Sequence, residues 1–396
     1  MMSNVKIFTD NIEGSAVNQV YTLVEQEAFK DSKVRIMPDV HSGAGCVIGF
    51  TADLGDRVIP NVVGVDIGCG MLTVEFGKVD IDLEKLDGVI KKVVPHGFNI
   101  HNRSSIYSSA KKMPFDVQDL KCYNELRNKD NIEVSLGTLG GGNHFIEVDK
   151  DDEDNKYLII HTGSRNLGKQ VADIYQNKAI SLMNKYSKED RDEVIRKLKS
   201  ENRQSEIPDA LKALTPEVKV PKDLSYLEGQ NRLDYLHDMR LCQVFAYRNR
   251  EMIAEKIMKE MNLTETGRFQ TIHNYIGDDN IVRKGAISAY KDEIVLIPIN
   301  MRDGCIIARG LGNEDWNFSA PHGAGRIMSR RSAKDNLDLD EFTDDMKDIY
   351  TTTANLSTLD ESPRAYKPMD EILENIKDTV EVIKIIKPIY NFKAAE

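Results

Sequence analysis

Short motifs that join a metal-binding side chain to glycines are spread along most of this chain, and their spread limits the possible folds more than any other feature. Asp66 and Cys69 lie in Val-Gly-Val-Asp-Ile-Gly-Cys-Gly (63–70). Histidines follow in Gly-Gly-Gly-Asn-His-Phe-Ile-Glu (140–147), Ile-Ile-His-Thr-Gly-Ser-Arg (159–165), Ile-His-Asn-Tyr (272–275) and Pro-His-Gly-Ala-Gly-Arg (321–326). The chain has only eight histidines, so half of them fall in these motifs. Carboxylate, thiolate and imidazole are the donors that hold divalent transition metals. Glycine beside a donor lets backbone and substrate come close, because no Cβ is in the way. Donors that run from 66 to 322 can converge only if most of the chain folds as one unit. A single domain over 1–396 is therefore expected, although that length alone would allow two or three.

Composition narrows the class further. With 40% hydrophobic and 30% charged residues and no Pro/Gly/Ser-rich linker, the chain reads as globular. No run approaches the ~18–20 apolar residues that span a bilayer. The start, Met-Met-Ser-Asn-Val-Lys-Ile, lacks the apolar core of a secretory signal. No membrane association and a cytoplasmic location are expected. Five cysteines at 46, 69, 122, 242 and 305 are an odd number at irregular spacing, which is no disulfide framework. A net charge of −11 argues against a non-specific nucleic-acid coat protein but leaves room for a local basic channel. Residues 326–334 carry four positive charges and no acid. That run is either a solvated helix face or, given its place after His322, a phosphate-facing segment.

Short β-branched runs bounded by glycine or proline read as strands at 33–37, 46–51, 71–76 and 156–161. The last ends in His161, which puts that donor at a strand's C-terminal edge. A helix is read near 15–30. From 168 to 262 apolar residues recur at three and four, which predicts a helical excursion with helices at 168–183 and 231–247. A polar, mobile connection is expected near 196–225, and His237 and Cys242 on the second helix read as core residues. Strands return at 286–290, 293–298 and 305–309. A polar helix or loop at 335–355, a helix at 369–376 and an apolar strand at 380–386 complete the pattern. The class expected is α/β, of the mixed α+β kind, with a dense β core.

Asp66 and Cys69, three apart in a glycine-flanked turn, can reach one metal ion or two adjacent ones. A thiolate can bridge two ions, and ions ~3.5–4 Å apart can stabilise both the attacking and the leaving oxygen of a phosphoryl transfer. Asn143 and Glu147 flank His144, where an amide and a carboxylate could orient the ring or read a purine edge. The planar fork of Arg165 suits a phosphate. Any one of these histidines could be a satisfied core residue; their recurrence in small-residue motifs favours the site. His322 differs, because its glycine turn is expected to open a helix over 325–333, whose N-terminus would favour an anion. An imidazole there is placed to attack phosphorus and hold a phosphoramidate, as a nucleophile rather than a ligand.

The motifs Met37-Pro-Asp-Val-His41, Val63-Gly-Val-Asp-Ile-Gly-Cys-Gly70, Gly137-Thr-Leu-Gly-Gly-Gly-Asn-His144, His161-Thr-Gly-Ser-Arg165, His273-Asn-Tyr and His322-Gly-Ala-Gly-Arg326 resemble the RtcB family of RNA ligases. So do Asp360-Glu-Ser-Pro-Arg-Ala-Tyr-Lys367 and Lys387-Pro-Ile-Tyr-Asn-Phe-Lys393, and the resemblance runs in order over essentially the whole chain. It implies a GTP- and manganese-dependent enzyme that joins an RNA 3′-phosphate or 2′,3′-cyclic phosphate end to a 5′-hydroxyl end, in RNA repair or tRNA splicing. Asp66, Cys69 and His144 would hold one manganese ion, and Cys69, His161 and His273 the second. His322 would attack the GTP α-phosphorus with loss of pyrophosphate, and Arg165 and Asn143 would be the further catalytic residues. The GMP would pass to the RNA 3′-phosphate and be displaced by the 5′-hydroxyl, a cyclic phosphate being opened first by metal-activated water.

The nucleotide would lie against Asn143, His144, Glu147, His273, Asn274, Tyr366 and Lys393. It would also meet Pro298, Met301, Cys305 and the turn His322, Gly323, Ala324 and Gly325. A monomer is expected, with archease as a candidate activating partner. Zinc or cobalt would suit the same donors as manganese. The departure from the family lies in Ile297-Pro-Ile-Asn-Met-Arg-Asp-Gly-Cys305, where better-known members carry a Pro-Gly-Ser-Met-Gly-Thr-type loop. Ile299, Asn300 and above all Arg302 are expected to touch the nucleotide or an RNA end, the alternatives being harmless drift of the loop and an Arg302 held structurally by Asp303 or Asp315; the role of Cys305 is open. Two alternatives stand beside the ligase: an RNA 3′-end guanylyltransferase that caps without efficient joining, and a non-catalytic metal- or RNA-binding protein.

Overall fold

The β-branched runs pair into two main sheets in the computed structural model, which describes residues 4–105, 107–108, 112–183, 188–213 and 220–394. The larger sheet has seven strands in the order Ile294–Asn300, Gly304–Gly310, Val380–Lys393, Phe145–Lys150, Lys156–Thr162, Gly70–Gly77 and Gly267–Ile272. All of its pairings are antiparallel. The smaller sheet runs Val5–Ile7, Val34–His41, Ile48–Asp53, Ile281–Lys284 and Asn274–Ile276. The fold is mixed α/β, as the alternation of runs predicts.

Strand 380–386 continues in the structure to Lys393. Its first part pairs with Gly304–Gly310 and its second with Phe145–Lys150, with the register shifting between Pro388 and Tyr390. Proline has no N–H to give to a ladder, so the break falls beside it. This one strand carries Asn391 and Lys393 to the same region of the sheet as Glu147, through the register pairs Asn391↔Glu147 and Lys393↔Phe145.

The helical excursion forms, with three differences. The second helix is Gly229–Met261, 33 residues long rather than 17, and Asn262 ends it in the left-handed region at φ 56°. It packs against Arg165–Met183, burying Tyr235, Met239, Cys242 and Phe245 completely. Each such apolar side chain contributes ~1.5–3 kcal/mol by leaving water. His237, expected in the core, lies at the edge of that stripe, with a side chain 42% exposed and bonded to Asp238 at 3.0 Å. Where a polar connection was expected near 196–225, the chain forms Lys188–Ser200, Gln204–Glu206, Ile207–Ala213 and Lys222–Leu224; the rest of that expectation, at 214–219, lies outside the described residues. Polar composition suggested a loop, but an exposed helix needs few apolar residues. The helix read at 15–30 stops at Val24, because Gln26 is extended (ψ 142°).

All five cysteines are free and buried. Among the described residues no helix is long and apolar enough to cross a membrane.

Candidate active site

The ends of the central strands deliver the donors to one corner. Cys69 closes the turn that enters Gly70–Gly77, and His161 pairs across the sheet with Met71 on one side and Phe145 on the other. Cys69 Sγ lies 3.2 Å from His161 Nε2 and 3.5 Å from His144 Nε2. His144 Nδ1 donates to Leu139 O at 2.8 Å and His161 Nδ1 to Asn143 O at 3.2 Å. A carbonyl only accepts, so both rings are held with the Nε2 lone pair towards the thiol.

His144 Nε2 also lies 2.9 Å from Asp66 Oδ2. Two acceptors that close require a cation between them, a proton or a metal ion. The donors form two overlapping triads, Asp66–Cys69–His144 and Cys69–His161–His273, each with its ligand atoms within 4.8 Å of one another. Burial would raise the Asp66 carboxyl, but the charge and hydrogen bond of His144 outweigh it and hold the group down at about 2. Burial, and then neighbouring histidines, push His161 and His273 well below the usual imidazole range, which leaves them neutral. Burial and the Asp66 charge push the Cys69 thiol up, so a nearby cation is needed to keep it a thiolate. His273 Nδ1 is buried without a hydrogen-bond partner, and a metal ion could take its lone pair. The donor set fits one or two divalent transition metals.

The second triad leads to His322, whose ring centroid is 4.8 Å from that of His273. Its Nδ1 donates to Asp39 Oδ2 at 2.6 Å and its backbone N–H to the same oxygen at 3.1 Å. Asp39 is fully buried on Val34–His41. Gly325 packs its backbone on Asp39 at φ +78°, where a Cβ would come within 2.2 Å of Asp39 O. The helix expected over 325–333 starts only at Arg330, capped by Ser329. Arg326 instead bridges to Tyr366, so the turn after His322 does not open directly into a helix. A carboxylate orients this histidine rather than a helix dipole.

A cavity of about 290 Å³ opens from this corner. It is lined by Asp66, Cys69, Asn143, Glu147, His161, His273, Asn274, Pro298, Met301, Tyr366, Lys393 and the turn from His322 to Gly325. At its far end Asn391 donates to Glu147 at 2.5 Å, and Cys305 lies 3.8 Å behind the same carboxylate. Burial pushes Glu147 up to about 7; burial and the Glu147 charge push the adjacent, fully buried Asp149 well above the usual carboxylate range. Neither Asp149 oxygen meets a hydrogen-bond donor among the described residues, which leaves a buried charge there uncompensated and favours the neutral acid. Beside them Glu361 accepts from Tyr366 at 2.8 Å and meets Lys393 at 2.7 Å and Arg330 at 2.6 Å. Burial opposes ionisation there, but Lys393 and Arg330 hold Glu361 at about 2.

The structure thus brings the sequence-predicted residues together, with exceptions. Arg165 and His144 open onto a second cavity. Cys305 lies behind Glu147, not on the cavity wall. Ile299 and Asn300 do reach the cavity, but Arg302 turns away to Asp303 at 2.8 Å and Asp345 at 3.3 Å. The basic run divides: Arg326 and Arg330 line the cavity, while Arg331 is 93% exposed. Sequence reasoning missed Asp39, Glu361 and Asn391 as site residues, and also Asn249 and Arg250. Asp39 and Glu361 stand inside quoted motifs, which was the available signal. Asn249 and Arg250 had none. Asn249 Oδ1 accepts from Gly137 N at 2.7 Å, and Arg250 donates to Gly68 O at 2.9 Å and Thr162 O at 2.7 Å. Together they tie three donor loops to one helix.

A family model described as tRNA-splicing ligase RtcB matches residues 19–121 and 116–394. RNA-splicing ligase RtcB1 of Escherichia coli strain ATCC 25922 is 30% identical over 97% of this chain and 96% of its own length. RNA-splicing ligase RtcB of E. coli K12 is 29% identical over the same shares. The tRNA-splicing ligase RtcB of Aeropyrum pernix is 28% identical over 86% of this chain and 83% of its own.

Proposed function

We propose that this chain, which belongs to the RtcB family, joins an RNA 3′-phosphate or 2′,3′-cyclic phosphate end to a 5′-hydroxyl end through a His322–GMP intermediate. The observation that carries this reading is the place of His322. Its Nδ1 is tied to buried Asp39, and its ring shares a cavity with Asp66, Cys69, His161, His273 and Glu147. With Nδ1 donating, Nε2 is the free lone pair and the only nucleophilic ring atom. As Nε2 bonds to the α-phosphorus and pyrophosphate departs, the imidazole gains positive charge, and the Asp39 carboxylate 2.6 Å away stabilises it.

Asp66, Cys69, His144, His161 and His273 would hold two manganese ions, which when bound supply Lewis-acid stabilisation of phosphate charge. Glu147 faces the cavity with a carboxylate that can accept from guanine N1–H and its exocyclic amine, a pair of donors adenine does not present on that edge. Asn391 fixes that carboxylate from one side. Arg165 and Asn143 would take the RNA phosphate on the other side of the metal-capable corner.

Incubation of wild type and His322→Ala with labelled GTP and manganese tests the reading. An acid-labile, base-stable protein–GMP adduct is expected in wild type only, with metal content near wild type in the variant. Labelling of the variant would overturn the nucleophile.

A further inference from the structure

The cavity of His322 is not the sole opening onto the metal-capable corner among the described residues. A second cavity, of about 580 Å³, reaches Asp66, Asn143 and His144 past Gly141, Gly142 and Arg165. Asp66 and Asn143 line both spaces, whereas His322 and Glu147 line only the first. A molecule in the second cavity therefore meets the same corner without displacing a nucleotide from the first.

The rim of this second cavity carries Phe98, 95% exposed. Leaving a phenyl ring in water forgoes the stabilisation of burial, and no ring or cation among the described residues stacks on it. The turn that bears it is nevertheless fixed. Gly97 N donates to Gly140 O at 2.8 Å, Arg165 donates to Gly97 O at 3.2 Å, and Asn99 N donates to His96 O at 3.2 Å. The same Gly140 begins the loop that delivers Asn143 and His144, so ring and corner are tied through one glycine. The lining is mixed: Val65, Ile100, Ile132 and Leu167 are apolar, and Asn128, Asn131, Asn166 and Lys169 add polar groups among them. Asp66 is its only carboxylate, against Arg165 and Lys169, in a chain whose net charge is −11.

A rigid exposed ring, amides and a guanidinium in one cleft are the parts that bind an unpaired nucleotide. The ring takes the base face, the amides its edges and the guanidinium its phosphate. We propose that the second cavity seats the terminal nucleotide of an RNA end, its base stacked on Phe98 and its phosphate directed to Arg165. This rests on the RNA-joining reading above. Stacking is indifferent to hydrogen-bond pattern, so the ring itself imposes no choice among the four terminal bases.

The test compares wild type, Phe98→Ala and Phe98→Trp in the full chain with GTP and manganese. Guanylylation of the protein without RNA should be the same in all three, because Phe98 is remote from the His322 cavity. For Phe98→Ala the KM for one RNA end should rise about tenfold with kcat little changed, and Phe98→Trp should restore it. Transfer of GMP to a 3′-phosphate strand alone, set beside joining to a 5′-hydroxyl strand, tells which end is seated. Unchanged KM for both ends, loss of guanylylation in Phe98→Ala, or failure of Trp to rescue would overturn the proposal. Quenching of an oligoribonucleotide carrying 2-aminopurine at its end needs no turnover. It should be lost in Phe98→Ala and kept in Phe98→Trp, and equal quenching in all three would equally overturn the proposal. A wild type that forms no GMP adduct yet quenches in this pattern would sink the ligase reading and leave the subsite standing.

Discussion

Glu147 and Asp149 sit two apart on one strand, both buried and both pushed towards the neutral form. We predict that they share a proton, which Asp149 would donate to Glu147, so keeping Glu147 an acceptor towards the cavity. The sign of the linkage follows. An unfolded glutamate releases its proton near 4.5, whereas folded Glu147 keeps it to about 7, so the folded state binds more protons across that window. The pair's contribution to stability therefore falls as pH rises from about 4.5 through 7. Asp149→Asn keeps a donor and removes one acid. Its melting temperature relative to wild type should be more favourable at pH 8 than at pH 5. An equal difference at both values would show that the pair shares no proton.

At the scale of elements, the divergent 297–305 segment is a tight hairpin between Ile294–Asn300 and Gly304–Gly310. Asn300 accepts from the backbone N–H of Arg302 and of Asp303, at 3.0 and 2.9 Å, which closes the turn. That local bonding gives Asn300 a reason to be there beyond any nucleotide contact, and it turns Arg302 outward. Half-exposed ion pairs like those of Arg302 contribute ~0–1 kcal/mol. Arg302→Ala should leave guanylylation and joining each within about twofold of wild type. A tenfold loss in either step would return Arg302 to the site. The motif order exposed the donors themselves, because each stands in its own short glycine context. The hairpin's direction and the full length of Gly229–Met261 were not legible. They depend on side-chain bonds to the turn and on loops far away in sequence that Asn249 and Arg250 bind.

For the whole molecule, we propose that 1–396 folds as one cooperative unit. Five metal-capable donors from loops at 66–69, 144, 161 and 273 meet in one corner, so an ion held there crosslinks distant parts of the chain. Whatever binds only the folded state stabilises it by mass action, about 2.7 kcal/mol at a hundred times Kd. Manganese-loaded protein should therefore unfold in a single calorimetric transition, and chelation should lower its midpoint by several degrees without splitting it. Two transitions, one of them indifferent to chelator, would divide the chain into separate domains. By itself the sequence determined the mixed α/β class and pointed to the metal-capable side chains and the histidine set apart from them, because side-chain chemistry and strand-forming runs are local properties. Only the tertiary structure decided that Asp39 rather than a helix end orients His322, that Glu147 is paired with Asn391, and that two cavities share one corner. Each of these is a contact between segments far apart in sequence or a shape enclosed by several of them, and neither is written in any one segment.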